Sequence, residues 1–306
     1  MIEILMATYN GASFLREQLD SILAQTDTGW HLTVSDDGSE DGTEEIIDSY
    51  AERYPDKIIR YHAGRRFGNA RDHFLHLMKE ACTAEWMLFC DQDDVWFPNK
   101  VETIRKAIRE AEGEYGADKP LLVFSDQVPA DEKLKPLSDS LVRYQKLYTE
   151  RFDYRSLLMQ NAVTGGAMAA NRPLVKLAGE SRKNSSMIMH DWWMAAVAAR
   201  FGRIVFIREP LGYYRQHGGN AVGAKHLGSA GYIRNRLGSL KDVRETIVKK
   251  KTQAVLFRAT YKERLNDGDR KFLSGFTKRR SGVFFYLKYR KLLHGFERKL
   301  GMMILG

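Results

Sequence analysis

Short apolar runs alternate along the first two hundred residues with segments whose apolar positions recur at helical spacing. Ile2 to Ala7 is the first run; Leu15, Leu19, Ile22 and Leu23 then share one helical face, and a second run follows at Leu32 to Val34. A period that keeps switching in this way predicts βαβ units and a largely parallel sheet. The same reading places helices over 43–54, 70–81, 98–112 and 191–201, with strands over 58–61, 86–90, 121–125, 167–170 and 204–207. Strand ends then fall at Ala7, Ser35 and Cys90, and open α/β sheets bind ligands beyond the carboxyl ends of their strands. Residues 127–160 lose the alternation and carry Asp131, Glu132, Lys133 and Lys135, which predicts a loop-like insertion near the site. The alternating pattern closes near residue 223, and no internal repeat or low-complexity stretch interrupts it.

Composition narrows the class. With 306 residues, 43% hydrophobic and 28% charged, the chain can fill one large domain or two medium ones. Its two cysteines, Cys82 and Cys90, sit inside apolar stretches, which gives neither a disulfide framework nor a Cys-rich zinc cluster and suits a reducing compartment. The opening Met1-Ile2-Glu3 carries no basic leader, and no apolar run approaches the roughly 20 residues that a spanning helix needs. The expectation is a cytoplasmic protein, neither secreted by a standard signal nor an integral helix bundle.

The net charge of +9 is unevenly placed. Residues 225–306 hold 21 Lys and Arg against 6 Asp and Glu, a local charge of +15, whereas residues 1–224 carry −6. We therefore expect a basic, mainly helical extension over 224–306. Within it Phe285, Tyr289, Leu292, Phe296, Leu300 and Met303 fall on one stripe, with Arg290, Lys291, His294 and Arg298 opposite. Such a helix either lies on an anionic membrane surface or packs on the catalytic domain or a second copy in a homo-oligomer. Nucleic acid is not an expected partner, because no recognition motif accompanies the basic patch.

Candidate chemistry gathers at the strand ends. Asp91-Gln92-Asp93-Asp94 follows the apolar run Met87-Leu88-Phe89; crowded carboxylates repel one another, and a divalent cation is the usual compensation, a solvated helix-capping turn being the plainer reading. The segment from Ser35 to Thr43, with Asp36 and Asp37, offers short acceptors and turn-forming glycines suited to the N–H groups or ribose hydroxyls of a ligand. Neither a dinucleotide fingerprint nor a P-loop is present. His190-Asp191-Trp192-Trp193 opens an Ala-rich helix, and Arg215-Gln216-His217 follows a predicted strand.

Taken together, Ala7-Thr8-Tyr9-Asn10, Ser35-Asp36-Asp37-Gly38-Ser39, Asp91-Gln92-Asp93-Asp94-Val95-Trp96, Thr164-Gly165-Gly166-Ala167-Met168, His190-Asp191-Trp192-Trp193 and Tyr214-Arg215-Gln216-His217 resemble family 2 of the inverting glycosyltransferases, and within it the bacterial rhamnosyltransferase-like members. The resemblance covers roughly residues 2–223; many relatives carry Pro where this chain has Ala7. It implies a GT-A fold over residues 1–223: an α/β Rossmann-like nucleotide-binding half joined to an acceptor-binding half. It further implies that Thr8, Tyr9, Asn10, Asp36, Asp37 and Gln92 line the nucleotide pocket, with Asn69 and Arg71 on the donor side. Asp91 and Asp93 match the D-x-D pair, with Asp93 the direct ligand of Mg²⁺ or Mn²⁺ and His217 completing the metal or diphosphate contacts. Asp191 matches the catalytic base, while Gly165, Gly166 and Trp192 lie on the acceptor side. The implied reaction moves a sugar, with dTDP-L-rhamnose the favoured donor, from a nucleotide diphosphate onto a glycan or lipid-linked glycan at the inner membrane face, in cell-surface polysaccharide synthesis.

Those residue types suit that chemistry. Cleaving a sugar–phosphate bond builds charge on the leaving diphosphate, which a carboxylate-held cation can neutralise, and an acceptor hydroxyl needs a base to take its proton. Three other readings compete: transfer from a UDP-sugar; a haloacid-dehalogenase-like phosphatase, since Asp91 to Val95 formally fits D-x-D-x-[TV]; and a non-catalytic, membrane-docked scaffold that kept the fold.

Overall fold

The computed structural model describes residues 1–218, 240–278, 285 and 287–292. The central feature is an eight-stranded sheet of order β3-β2-β1-β4-β7-β6-β8-β5. Its strands are β1 (Ile2–Thr8), β2 (Trp30–Asp36), β3 (Ile58–Arg60), β4 (Trp86–Cys90), β5 (Val95–Trp96), β6 (Leu121–Ala130), β7 (Met168–Asn171) and β8 (Arg203–Arg215). The first four are parallel, as the alternating pattern predicts. The expectation of a largely parallel sheet fails beyond β4. There β7 runs antiparallel to both β4 and β6, and β5 runs antiparallel to β8, while β6 and β8 are parallel. Hydrophobic period carries no information about strand direction, and β7 spans four residues, too few to show any period.

Side chains alternate across the strands between two cores. Ile4 and Met6 of β1, Leu88 and Cys90 of β4, and Leu121 and Val123 of β6 face a cluster with Leu15, Leu19, Val34 and Ile104. That layer is closed by α1 (Ala12–Leu23), α2 (Thr43–Arg53) and α4 (Lys100–Tyr115). Leu5, Met87, Phe89, Leu122 and Phe124 face the opposite core, which contains Phe74, Leu157, Leu174 and Trp193. Helices α3 (Ala70–His76, continued by a π turn over Leu77–Ala81), α6 (Tyr154–Met159), α7 (Arg172–Ala178) and α8 (His190–Phe201) cover that side. All of these side chains are nearly excluded from solvent, and each buried large apolar side chain contributes about 1.5–3 kcal/mol relative to exposure.

The expected loop-like insertion over 127–160 is largely ordered structure. Strand β6 continues to Ala130, and α5 (Leu141–Tyr144) and α6 lie beyond it. Polar Asp126 and Gln127 disguise the strand in the sequence. Both are buried: Asp126 accepts from the Ser140 hydroxyl and the Val142 amide, and Gln127 donates to Asp94.

In the basic C-terminal part, α9 (Leu240–Thr260) and α10 (Asp267–Phe276), with Tyr261 just beyond α9, send Ile247, Ala254, Phe257, Tyr261, Phe272, Leu273 and Phe276 into the same core as Trp193. Asp269 closes a capping box with Asn266 and accepts hydrogen bonds from Tyr154 of α6 (2.7 Å) and Arg200 of α8 (2.6 Å). Phe285, Tyr289 and Leu292, half of the predicted amphipathic stripe, are packed against this core, and Tyr289 meets the Phe272 ring edge-on at 5.0 Å. Phe296, Leu300 and Met303 lie outside the described residues. No helix among the described residues is long and apolar enough to cross a membrane.

Candidate active site

Register brings the predicted strand ends to one edge of the sheet. Thr8 pairs with Asp36 and Met6 with Cys90, so the segments that leave β1, β2 and β4 emerge side by side. Backbone and side chains then lock them together. Thr8, buried, donates to Asp36 Oδ1 at 2.6 Å. Asp36 also accepts from the Gly38 amide (2.9 Å) and from the Ser39 amide (2.7 Å) and hydroxyl (2.6 Å), so its carboxylate shapes the turn that starts at Gly38, where φ is +79°. Asp37 turns the other way and accepts from the Phe67 and Gly68 amides at 2.5 and 2.7 Å, tying down the segment after β3.

Tyr9 and Asn10 are exposed at the mouth of this edge. Asn10 adopts a left-handed φ of 47°; its amide donates to Ser39 and its side chain accepts from the Glu40 amide. Gln92 pairs with the Tyr9 backbone like a strand neighbour, accepting from its amide at 2.8 Å and donating to its carbonyl at 3.0 Å. A methyl group on Gly11 would lie 2.4 Å from Gln92 Oε1, which explains glycine there. Arg66, which the sequence reading passed over, lies across the Tyr9 ring at 5.0 Å and donates to its hydroxyl at 2.8 Å. Beside it, a cavity of about 240 Å³ is lined by Asp36, Gly38, Tyr61, His62, Arg65 and Arg66, among others. Asn69 and Arg71 sit further out. Asn69 caps α3 by accepting from the Asp72 amide, and Arg71 grips Asp72 and donates to the Met187 carbonyl.

The acidic cluster separates into three roles. Asp93 meets His217, Oδ2 to Nε2, at 2.7 Å. Asp94 is fully buried, held by Gln127 (3.1 Å) and by the Arg215 amide (3.2 Å). Asp91 faces the turn over Gly165–Ala167; a Cβ on Gly166 would fall 2.6 Å from Asp91 Oδ2 and 3.1 Å from Asp94 Oδ2, so a larger residue there would displace the Asp91 carboxylate. Burial, with Asp93 and Asp191 adding repulsion, pushes the Asp91 carboxyl up to about 7, and burial raises Asp94 well above the carboxylate range. Beneath them Lys100, the first residue of α4, is wholly buried; its Nζ donates to the Gly166 carbonyl at 2.9 Å and lies 4.1 Å from the Trp96 ring centroid. Burial lowers its ammonium to about 8. Arg215 is equally hidden, its guanidinium donating to the carbonyls of Asp93 and Glu132, pairing with Glu17 and covering the Phe14 ring.

Asp191, in the first turn of α8, adjoins Gly165 of the Gly165–Ala167 turn, where a Cβ would lie 3.7 Å from the Asp191 Cβ. Its Oδ1 accepts from the Trp192 amide at 2.6 Å and its Oδ2 from Asn161 at 3.2 Å. Burial pushes its carboxyl up to about 6, partly offset by those hydrogen bonds. A raised but accessible pKa is what a general base working near neutral pH requires. Trp192 donates to the Leu157 carbonyl, with Lys250 over its ring, and His190 is buried between Phe74 and Phe89.

Beside the expected Asp91, Asp93, Asp191 and His217 the structure sets residues that the sequence did not single out: Lys100, Gln127, Asn161 and the buried course of Arg215. A lysine at a helix start reads as a solvated residue, and only the three-dimensional crossing of α4 beneath Gly166 shows otherwise. Among the described residues no three His, Cys, Asp or Glu side chains converge as a ready metal cage. Asp93 and His217 do offer an oxygen and a nitrogen at one point, a donor pair that suits a divalent ion completing its shell with phosphate oxygens.

Comparison with known proteins agrees with this architecture. The sequence model of Glycosyl transferase family 2 matches residues 3–169. The dTDP-rhamnosyl transferase RfbG of Shigella flexneri is 28% identical over 252 residues, covering 80% of this chain and 82% of RfbG. An uncharacterized glycosyltransferase of Nostoc, alr2836, is 28% identical over 228 residues, covering 72% and 66%. Among solved structures, TarS 1–349 of S. aureus superposes with a TM-score of 0.59 at 15% identity over 98% of this chain and 77% of that one. The mannosyltransferase PcManGT of Pyrobaculum calidifontis, in complex with GDP-Man and Mn²⁺, gives 0.53 at 15% identity over 98% and 85%. The fold is GT-A, and the match over more than half of the sequence means that the chain is a glycosyltransferase of family 2, similar to bacterial rhamnosyltransferases.

Proposed function

We propose that the protein transfers a sugar, with inversion, from a nucleoside diphosphate donor bound along the β1, β2 and β4 edge to a glycan or lipid-linked glycan hydroxyl presented near Asp191. The observation that carries the reading is that one glycine turn meets both carboxylates, Gly166 lying against Asp91, two residues before the Asp93–His217 pair, and Gly165 against Asp191. Thr8, Tyr9, Asn10, Asp36 and Asp37 build the wall of the nucleotide side. The exposed Tyr9 ring and Arg66 offer a stacking face and a cation, and Asn69 and Arg71 support that side through α3. Asp93 and His217, with Asp91 behind them, would hold Mg²⁺ or Mn²⁺, which when bound supplies positive charge to the leaving diphosphate. Asp191 accepts the proton of the attacking hydroxyl, and a single displacement needs no covalent enzyme intermediate. Gly165, Gly166 and Trp192 form the floor against which the acceptor lies.

The similarity to a dTDP-rhamnosyl transferase over four-fifths of the chain supports dTDP-L-rhamnose as donor and cell-surface polysaccharide synthesis as the setting. A UDP-sugar is the alternative donor. The charge of +15 over residues 225–306 supports peripheral attachment to the anionic inner face of the membrane, although half of the apolar stripe is turned into the protein. A thermal-shift series with dTDP, UDP and GDP, each with and without Mn²⁺, tests the reading. A ligand that binds only the folded state raises its melting temperature, so the expected outcome is a Mn²⁺-dependent rise with dTDP. A rise with UDP alone would replace the donor, and no rise with any nucleotide would overturn the site assignment.

A further inference from the structure

Asn161 lies between α6 and the Gly165–Gly166 turn, outside every motif that the sequence offers. Its side chain is fixed at both ends. Oδ1 accepts from the Val163 amide at 3.1 Å, while Nδ2 donates to the Val163 carbonyl at 2.8 Å and to Asp191 Oδ2 at 3.2 Å. The Val163 amide is a donor and nothing else, so the carboxamide cannot be turned over without setting two donors against each other. Nδ2 must therefore face Asp191. The second carboxylate oxygen is held from within α8 by the Trp192 amide.

We propose that Asn161 is a positioning residue, which fixes the Asp191 carboxylate so that the lone pairs left over by Nδ2 and the Trp192 amide point at the acceptor hydroxyl. The inference rests on the reading of Asp191 as the base. An ionised carboxylate has about four acceptor directions, and a base that must take a proton from one direction gains from having the others occupied. The same bond favours the ionised carboxylate against the effect of burial. The other groups around Asp191 work differently. Asp91, from the end of β4, repels its charge; His190, beside it on α8, is held neutral by burial, its pKa pushed down to about 3; the Gly165 amide favours the ionised form; and from α9 Lys250 lies against Trp192, 5.8 Å from its ring centroid. Among these Asn161 is the side-chain donor to Asp191.

The test uses full-length protein carrying ¹³Cγ-labelled aspartate, with the Asp191 carboxyl signal assigned by its loss in Asp191→Asn. In Asn161→Ala the titration midpoint of that signal is expected to rise by about one pH unit. The acid limb of nucleoside diphosphate release from dTDP-L-rhamnose with Mn²⁺ is expected to move with it, and kcat to fall about ten-fold or more while the Kd for dTDP stays unchanged. An unmoved midpoint, or a loss of rate that follows only a loss of melting temperature, would overturn the proposal and leave Asn161 a structural residue. Failure of the underlying reading looks different: Asp191→Asn would keep full turnover, or the midpoint would move in Asn161→Ala while the rate profile stayed in place.

Discussion

Lys100 shows how much of this site is held from below. A wholly buried ammonium is costly unless neighbouring charge and hydrogen bonds compensate for it, and here Asp91, Asp94, the Gly166 carbonyl and the Trp96 face do so together. Removing one side leaves the other uncompensated. Lys100→Met is therefore expected to lower unfolding stability in urea by roughly 3–5 kcal/mol. Lys100→Met combined with Asp94→Asn should lose less than the sum of the two single changes, because each single change leaves the other buried group without a neighbour that compensates it. Strict additivity would mean that the two groups do not interact. The acidic side of this arrangement was legible in the sequence, since crowded carboxylates after a buried strand are unusual. The basic side was not, because the partner comes from another element and lysine is ordinarily a surface residue.

At the level of elements, Asp269 of α10 ties the C-terminal helices to α6 and α8 through Tyr154, Arg155 and Arg200. Burial acts to raise its pKa, yet the hydrogen bonds from Tyr154 and Arg200 hold the carboxyl below the usual range. A group whose folded pKa is depressed contributes stability above its unfolded pKa of about 3.9 and loses that contribution as pH falls through the folded value. Asp269→Asn is expected to cost about 1.5–3 kcal/mol near pH 7, and the difference from wild type should shrink below about pH 4. Urea unfolding at pH 7 and pH 3.5 measures both, and a pH-independent difference would remove the charge from the explanation. Elements differ in how plainly the sequence announces them. Strand β4 is a continuous apolar run with every residue buried, β1 is nearly one, broken by Glu3, and β2 alternates Trp30, Leu32 and Val34 with His31, Thr33 and Ser35. In β6, Asp126 and Gln127 break the run, since their partners Ser140 and Asp94 come from other segments, and β7 is too short for a pattern. Asn161 was invisible for the same reason as Lys100, its role being defined by what folding brings beside it.

Over the whole molecule, charge and packing divide the chain differently. The charge changes sign near residue 224, but the apolar residues of α9 and α10 complete the core begun by α6, α7 and α8. Phe257 is fully buried and meets the rings of Tyr154, Trp193 and Phe201 within 6.0 Å. A protein ending at residue 223 would leave that surface open to water. Such a truncation is expected to lose cooperative thermal unfolding and its near-ultraviolet circular dichroism, whereas a cooperative transition like that of the full chain would show that the first 223 residues fold alone.

The late position of α9 and α10 also bears on how the chain is made. At roughly 5–20 residues per second, several seconds separate the synthesis of α8 from that of Phe276, and the exit tunnel adds to the delay. During that interval the aromatic face around Trp193 has emerged or is emerging without its cover. The nascent chain therefore passes through a period in which the apolar surface around Trp193 faces water, and chaperone capacity is expected to bear on its yield.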